Sequence, residues 1–208
     1  MALKINERFG KLADEETLTR TVAAFRKNGI MAEIVKNGLD AKARLFELLP
    51  EGAEVMNMTS MTLETIGVVK EVLESGRYRA VRNEFKKLDP EKDAVVKQRL
   101  GAAPEWAIGS VHAVTEAGQV LVASNTGSQL GAYAYGAFHV IWVVGAQKVV
   151  KDLDEGFKRI EEYTLPLEDA RAQKAYGTGS NISKMLTVNK EVAPERIHMI
   201  LVQEKLGF

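Results

Sequence analysis

The chain has 208 residues, 46% of them apolar and 27% charged, and its 28 Lys plus Arg balance its 28 Asp plus Glu. A length of this order suits one substantial domain that buries roughly 70% of the surface its unfolded form exposes. Balanced charge supplies no global field to draw in nucleic acid or anionic lipid, and a chain without cysteine forms no disulfide and offers no thiolate to zinc, to an iron–sulfur cluster or to an electrophile.

The start, Met1-Ala-Leu-Lys-Ile-Asn-Glu-Arg, lacks the apolar stretch of an export signal. The most apolar run, Phe138 to Ala146, is shorter than the about 20 residues of a membrane span. A cytoplasmic protein without membrane attachment is the expectation. Asp14 predicts an N-cap for a helix to about Lys27, with Glu15 and Glu16 at its positive end and Asn28-Gly29 as its stop. A short strand, Met31 to Val35, and a helix from about Asp40 to Leu49, closed by Pro50, come next. Residues 1–50 read as a helical N-terminal extension packed on a single domain that spans 1–208.

Ala53 to Met58 predicts a strand that runs into Thr59-Ser-Met-Thr62 and a helix carrying Leu63, Ile66, Val69 and Leu73 on one side, ended by Gly76. Arg77 to Lys97 is densely charged and reads as surface helices, the second starting at Asp89-Pro90. Ala113 to Thr115 and Gln119 to Ser124 read as two short strands about a tight turn in which Gly118 takes positive φ. Phe138 to Val144 reads as a strand buried on both faces. Asp152 to Glu162 predicts a helix, with Asp154/Lys158 and Glu155/Arg159 spaced i,i+4. Tyr163 to Asn189 reads as irregular, and Ile197 to Gln203 as a final strand. This alternation predicts an α/β fold with a mostly parallel sheet flanked by helices.

Ligands of open α/β sheets sit at loops leaving the carboxyl ends of strands. Two loops qualify: Asn57 to Thr62, with Thr59, Ser60 and Thr62 just before a helix, and Asn125 to Ser128, where Thr126 is followed by Gly127. Both offer hydroxyls and backbone N–H groups to a phosphate or carboxylate. The same residues also fit a plain helix cap and a plain turn. Lys148 and Arg171 are cations placed to reach over a bound anion, or else solvated surface. Glu116, at a turn among small residues, is the candidate general base or covalent nucleophile, unless it is only a turn residue. His112 would share its face on an unbroken strand. His139 and His198 read as structural, and three scattered histidines predict no metal site. Gly177-Thr-Gly-Ser-Asn-Ile-Ser-Lys184 lacks the spacing of a phosphate loop and reads as a flexible loop or lid.

Taken in order, Thr59-Ser60-Met61-Thr62 with Leu63 and Gly67, Ala113-Val-Thr-Glu116-x-Gly118, Thr126-Gly127, Val140 to Gly145 with Lys148, Pro166 with Arg171, and the ending Leu206-Gly207-Phe208 resemble the LUD family of lactate-utilization proteins. The resemblance runs from about Glu54 to the C-terminus. It implies a fold like that of the ribose-phosphate isomerase, glucosamine-phosphate deaminase and CoA-transferase group (NagB/RpiA/CoA-transferase-like). It implies a role in the use of lactate or a related small organic acid, with a small anionic ligand. The same resemblance leaves three roles open: an enzyme using Glu116, a non-catalytic subunit beside iron–sulfur partner proteins, and a CoA-transferase-like enzyme in which Glu116 before Gly118 forms a thioester. Similar proteins often carry asparagine where His112 stands, and many have cysteines in the region of Tyr176 to Lys190. Without cysteine, this chain binds no cofactor through thiolates, so any electron transfer has to involve a partner or another bound cofactor.

Overall fold

The computed structural model describes residues 4–208; Met1 to Leu3, the first three residues of the start read as Met1 to Arg8, lie outside them. Among the described residues ten strands are formed: β1 (Met31–Val35), β2 (Glu54–Asn57), β3 (Arg79–Ala80), β4 (Trp106–Gly109), β5 (Ala113–Thr115), β6 (Val120–Ser124), β7 (His139–Gly145), β8 (Val149–Val150), β9 (Lys184–Val188) and β10 (Ile197–Val202). The helices are α1 (Glu15–Lys27), α2 (Gly38–Leu48), α3 (Met61–Thr65), α4 (Val68–Glu74), α5 (Val81–Phe85), α6 (Ala94–Ala102), α7 (Leu153–Arg159) and α8 (Leu165–Tyr176), with shorter turns between them.

Six strands pair in the order β1-β10-β7-β4-β2-β3, every pair parallel, and the other four form a second sheet in the order β8-β5-β6-β9. The apolar run of β7 follows from burial on both faces. Val140, Trp142 and Val144 point into one core, while Ile141 and Val143 point into another. β10 alternates in the same way, with Ile197, Met199 and Leu201 on the first side and Ile200 and Val202 on the second. The first side packs against Leu18, Val22 and Phe25 of α1 and against Val114, Val120 and Val122 of the second sheet. The opposite side packs against Ala41 and Leu45 of α2, Leu63 of α3, and Val68, Val69 and Val72 of α4. A third core lies on the outer face of the second sheet, where Leu121 and Ala123 meet Ile160 and Tyr163. Each fully buried aliphatic side chain contributes about 1.5–3 kcal/mol by leaving water, so the three cores together fix the layering.

Local signals set the helix starts. The Asp14 carboxylate accepts from Thr17 N–H at 2.8 Å and Asn37 Oδ1 from Asp40 N–H at 2.9 Å, each satisfying a free amide in the first turn. Gly118 turns β5 into β6 at φ 76°, and a Cβ there would press into the backbone of Ala24 and Phe25, so the hairpin sits directly on α1.

Three expectations are corrected, and one central strand is added to them. Residues 1–50 are not an added extension, because β1 pairs in register with β10, Met31 against His198 through Val35 against Val202, and completes the main sheet. The stretch from Tyr163 to Asn189 is not irregular. α7 continues through a wide turn at Ile160–Thr164 into α8, and Lys184–Val188 is a strand paired antiparallel to β6. Pro166 signals a helix end because it lacks an N–H, but it sits at the first turn beyond the wide segment, where the missing donor is tolerated. β4 is four wholly buried residues, too short a run to stand out, yet it is central. Within Arg77 to Lys97, Arg79–Ala80 is an edge strand, and Asp89 caps a turn through Glu91 and Lys92 N–H ahead of a helix that begins only at Ala94.

Candidate functional site

From β2 the chain moves outward to edge strand β3, whereas from β4 it moves the other way, to β7 and then β10. Loops leaving neighbouring strands β2 and β4 therefore diverge, which opens a crevice at their carboxyl ends. There the structure has a cavity of about 360 Å³. Its walls are Thr59 to Thr62 after β2, Ser110 to His112 after β4, and Ser124, Asn125, Thr126 and Ser128 at the end of β6. Lys148 borders it from beyond β7, and α8 with residues 178–182 closes the remaining side.

Two short helical features position the polar groups. Ser60 caps α3, its hydroxyl accepting from Leu63 N–H at 3.3 Å. That cap leaves Thr62 buried, with its hydroxyl donating to the Leu206 carbonyl at 3.1 Å. Gly207, at φ 60°, lets the C-terminal backbone close over Thr62, whose hydroxyl would obstruct a Cβ there at 2.6 Å. The turn Ala146–Lys148 then buries Lys148, only 2% exposed, and brings its Nζ to 3.1 Å from Thr62 Oγ1 and 3.0 Å from Ser110 Oγ.

The electrostatics follow from burial. Removal from water pushes the Lys148 ammonium well below the ordinary lysine range, and the neighbouring Arg159 guanidinium pushes it the same way. Arg159 is itself lowered to about 10 by burial. Its partners are neutral oxygens: the Gln147 carbonyl at 3.2 Å, the Thr164 hydroxyl at 2.9 Å and the His112 carbonyl, while Nη2 has no partner among the described residues. His112 falls to about 3, first from burial and then from Lys148 and Arg159. Its Nδ1 accepts from Ala123 N–H at 3.1 Å, so the neutral ring carries its proton on Nε2. On the far wall Arg171 donates twice to Glu168, 2.7 Å from each carboxylate oxygen, and this pair raises the guanidinium further.

Of the residues singled out in the sequence, the structure brings Thr59, Ser60, Thr62, Asn125, Thr126, Lys148 and Arg171 to one cavity. Gly127 stands just behind its wall at φ 86°, where Ser124 Oγ accepts its N–H at 2.9 Å, so it shapes the loop. Glu116 is elsewhere. β5 separates it from His112, which enters the cavity, and its carboxylate is 3.4 Å from Arg20 of α1 with 37% of its side chain exposed. The two loops meet in one cavity, but Glu116 does not stand beside it, and the three-residue β5 is too short to give His112 and Glu116 a shared face. Ser110 follows a strand of only four residues, too short to signal itself in the sequence, and Glu168 lies in a segment whose composition reads as irregular. Residues 178–181, singled out for their glycines, border the cavity. Among the described residues no three His, Asp or Glu side chains gather closely enough to hold a metal, and no helix is long and apolar enough to cross a membrane.

A comparison with curated proteins gives no match. Among solved structures, the fold is similar to the crystal structure of a DUF162 family protein from Deinococcus radiodurans, with a TM-score of 0.58 and 11% sequence identity over 92% of this chain and 99% of that one. That similarity concerns the fold alone. The family model described as the LUD domain matches residues 18–202, from α1 to the end of β10. The chain belongs to the LUD-domain family.

Proposed function

We propose that the chain binds a small organic acid, lactate or a close chemical relative, in the cavity between the β2, β4 and β6 loops, as part of the utilization of such acids. The observation that carries this reading is the unbalanced positive charge of the site. Lys148 on the wall and Arg159, buried behind the wall residues His112 and Thr164, have hydroxyls and carbonyls rather than carboxylates as their hydrogen-bond partners among the described residues. Two desolvated cationic groups without counter-charge destabilise each other. A bound carboxylate would relieve that cost. Thr59, Asn125, Thr126 and Nε2–H of His112 supply further polar contacts around the rim.

Thermal denaturation with increasing lactate, pyruvate and glycolate tests this. Binding raises the melting temperature in proportion to RT ln(1 + [L]/Kd), and neutral lactamide does not raise it. An equal rise with lactamide, or no rise with any acid, overturns the reading.

A further inference from the structure

The buried end of Lys148 has a geometry beyond anion binding. Its Nζ borders the cavity between two hydroxyls and, among the described residues, has no carboxylate within ion-pair distance to hold it as an ammonium. A lysine made nucleophilic in proteins is one that burial and a neighbouring cation keep unprotonated, and Arg159 is such a neighbour. The two hydroxyls are not equivalent. Thr62 Oγ1 lies 3.1 Å from the Leu206 carbonyl, which takes its proton, whereas the Ser110 hydroxyl, 3.0 Å from Nζ and 3.3 Å from Thr62 Oγ1, has no carbonyl partner and can pass its proton between the amine and the cavity. A nitrogen lone pair, a mobile proton carrier and an open volume therefore meet at one point.

Resting on the reading that the cavity holds a small organic acid, we propose that Lys148 Nζ condenses with the carbonyl of a 2-oxo acid to form an imine, with Ser110 relaying the proton. The carboxylate of such an acid is drawn toward the charge of Arg159 behind the wall residues His112 and Thr164, and its adjacent carbonyl is the electrophile an amine requires. The Nζ lone pair attacks the carbonyl carbon, and the C=O π pair moves to oxygen. That oxygen takes the proton released from nitrogen by way of Ser110 Oγ, giving a carbinolamine. Loss of the hydroxyl together with the remaining N–H proton yields C=N and one water. No oxidant or reductant is needed.

The full chain is incubated with pyruvate or 2-oxobutyrate and borohydride, then examined by intact mass and peptide mapping, with calorimetry of the same acids in parallel. The expected result is one reduced adduct per chain, on Lys148, with labelling slowed by about 10²-fold in Ser110→Ala and lost in Lys148→Arg. Because the wild-type map alone identifies the residue, a poorly folding variant does not spoil the test. Labels spread over exposed lysines, or an unlabelled Lys148 while calorimetry records binding, overturn the imine and leave acid binding standing. Absence of both label and heat overturns the two together.

Discussion

His112 Nδ1 and the backbone N–H of Ala123 meet at 3.1 Å, tying the first residue of the β5 hairpin arm to the fourth residue of β6 and fixing the imidazole as the Nε2–H tautomer. The ring is held neutral, with its pKa lowered from 6.5 to about 3 by burial and by the cations Lys148 and Arg159.

Acid stability follows from that pair. Below the unfolded value of 6.5, and down to about 3, the unfolded chain binds a proton that the folded ring refuses, so stability falls as pH falls through this window. Urea denaturation at neutral pH and at about pH 5 is expected to differ by about 2 kcal/mol more in the wild type than in His112→Asn. The same pH dependence in both would show that the ring titrates normally.

Lys148 obeys the same sign. Its folded pKa lies below the unfolded 10.5, so its contribution is fully favourable only above that value and declines as pH falls toward the folded one. Lys148→Met, which keeps the length and removes the charge, is therefore expected to melt at or above the wild-type temperature at neutral pH, as replacement of a buried charge by an apolar chain often does. Loss of several degrees would mean that the ammonium is stabilised by its surroundings.

Arg171 is occupied by Glu168, which accepts two hydrogen bonds of 2.7 Å. Glu168→Gln removes the competing charge and leaves Arg171 available to a bound anion. Affinity for lactate or pyruvate is expected to rise on the order of tenfold, the effect of about 1.4 kcal/mol, with a steeper salt dependence. Unchanged affinity would place the ligand away from α8.

Glu116→Gln is expected to leave acid binding unaltered, because its carboxylate faces Arg20 at 3.4 Å on the α1 side of β5. That pair is half exposed, so chemical denaturation should shift by less than about 1 kcal/mol. A variant that folds normally and no longer binds acid would return Glu116 to the site.

What could be read in the sequence depended on how local the cause was. Asp14, Ser60 and Gly118 act within a few residues, and the caps and turn they announce are where the sequence puts them. β1, in which only Ala32 is buried, is marked by the two helices that flank it, and the seven-residue β7, buried at all but its first residue, carries its own apolar signature. β4 and β9 do not: the first has four residues, and the second is exposed at Lys184 and Met185 and only half-buried beyond, so pairing with β6 defines it. The loops at Thr59 to Thr62 and Asn125 to Thr126 were legible from composition, but their meeting was not, since it depends on the strand order between them. Glu116 misled because turn chemistry and proximity to glycine say nothing about which end of a strand faces a cavity. Lys148 was legible as a cation; its burial required the turn after β7 and the C-terminal residues that close over Thr62.

The most direct measurement is calorimetric titration of pyruvate and lactate into wild type and Lys148→Met near neutral pH. Wild type should bind both acids, and Lys148→Met should bind neither. Equal affinity in the two proteins would contradict a site built around that buried amine.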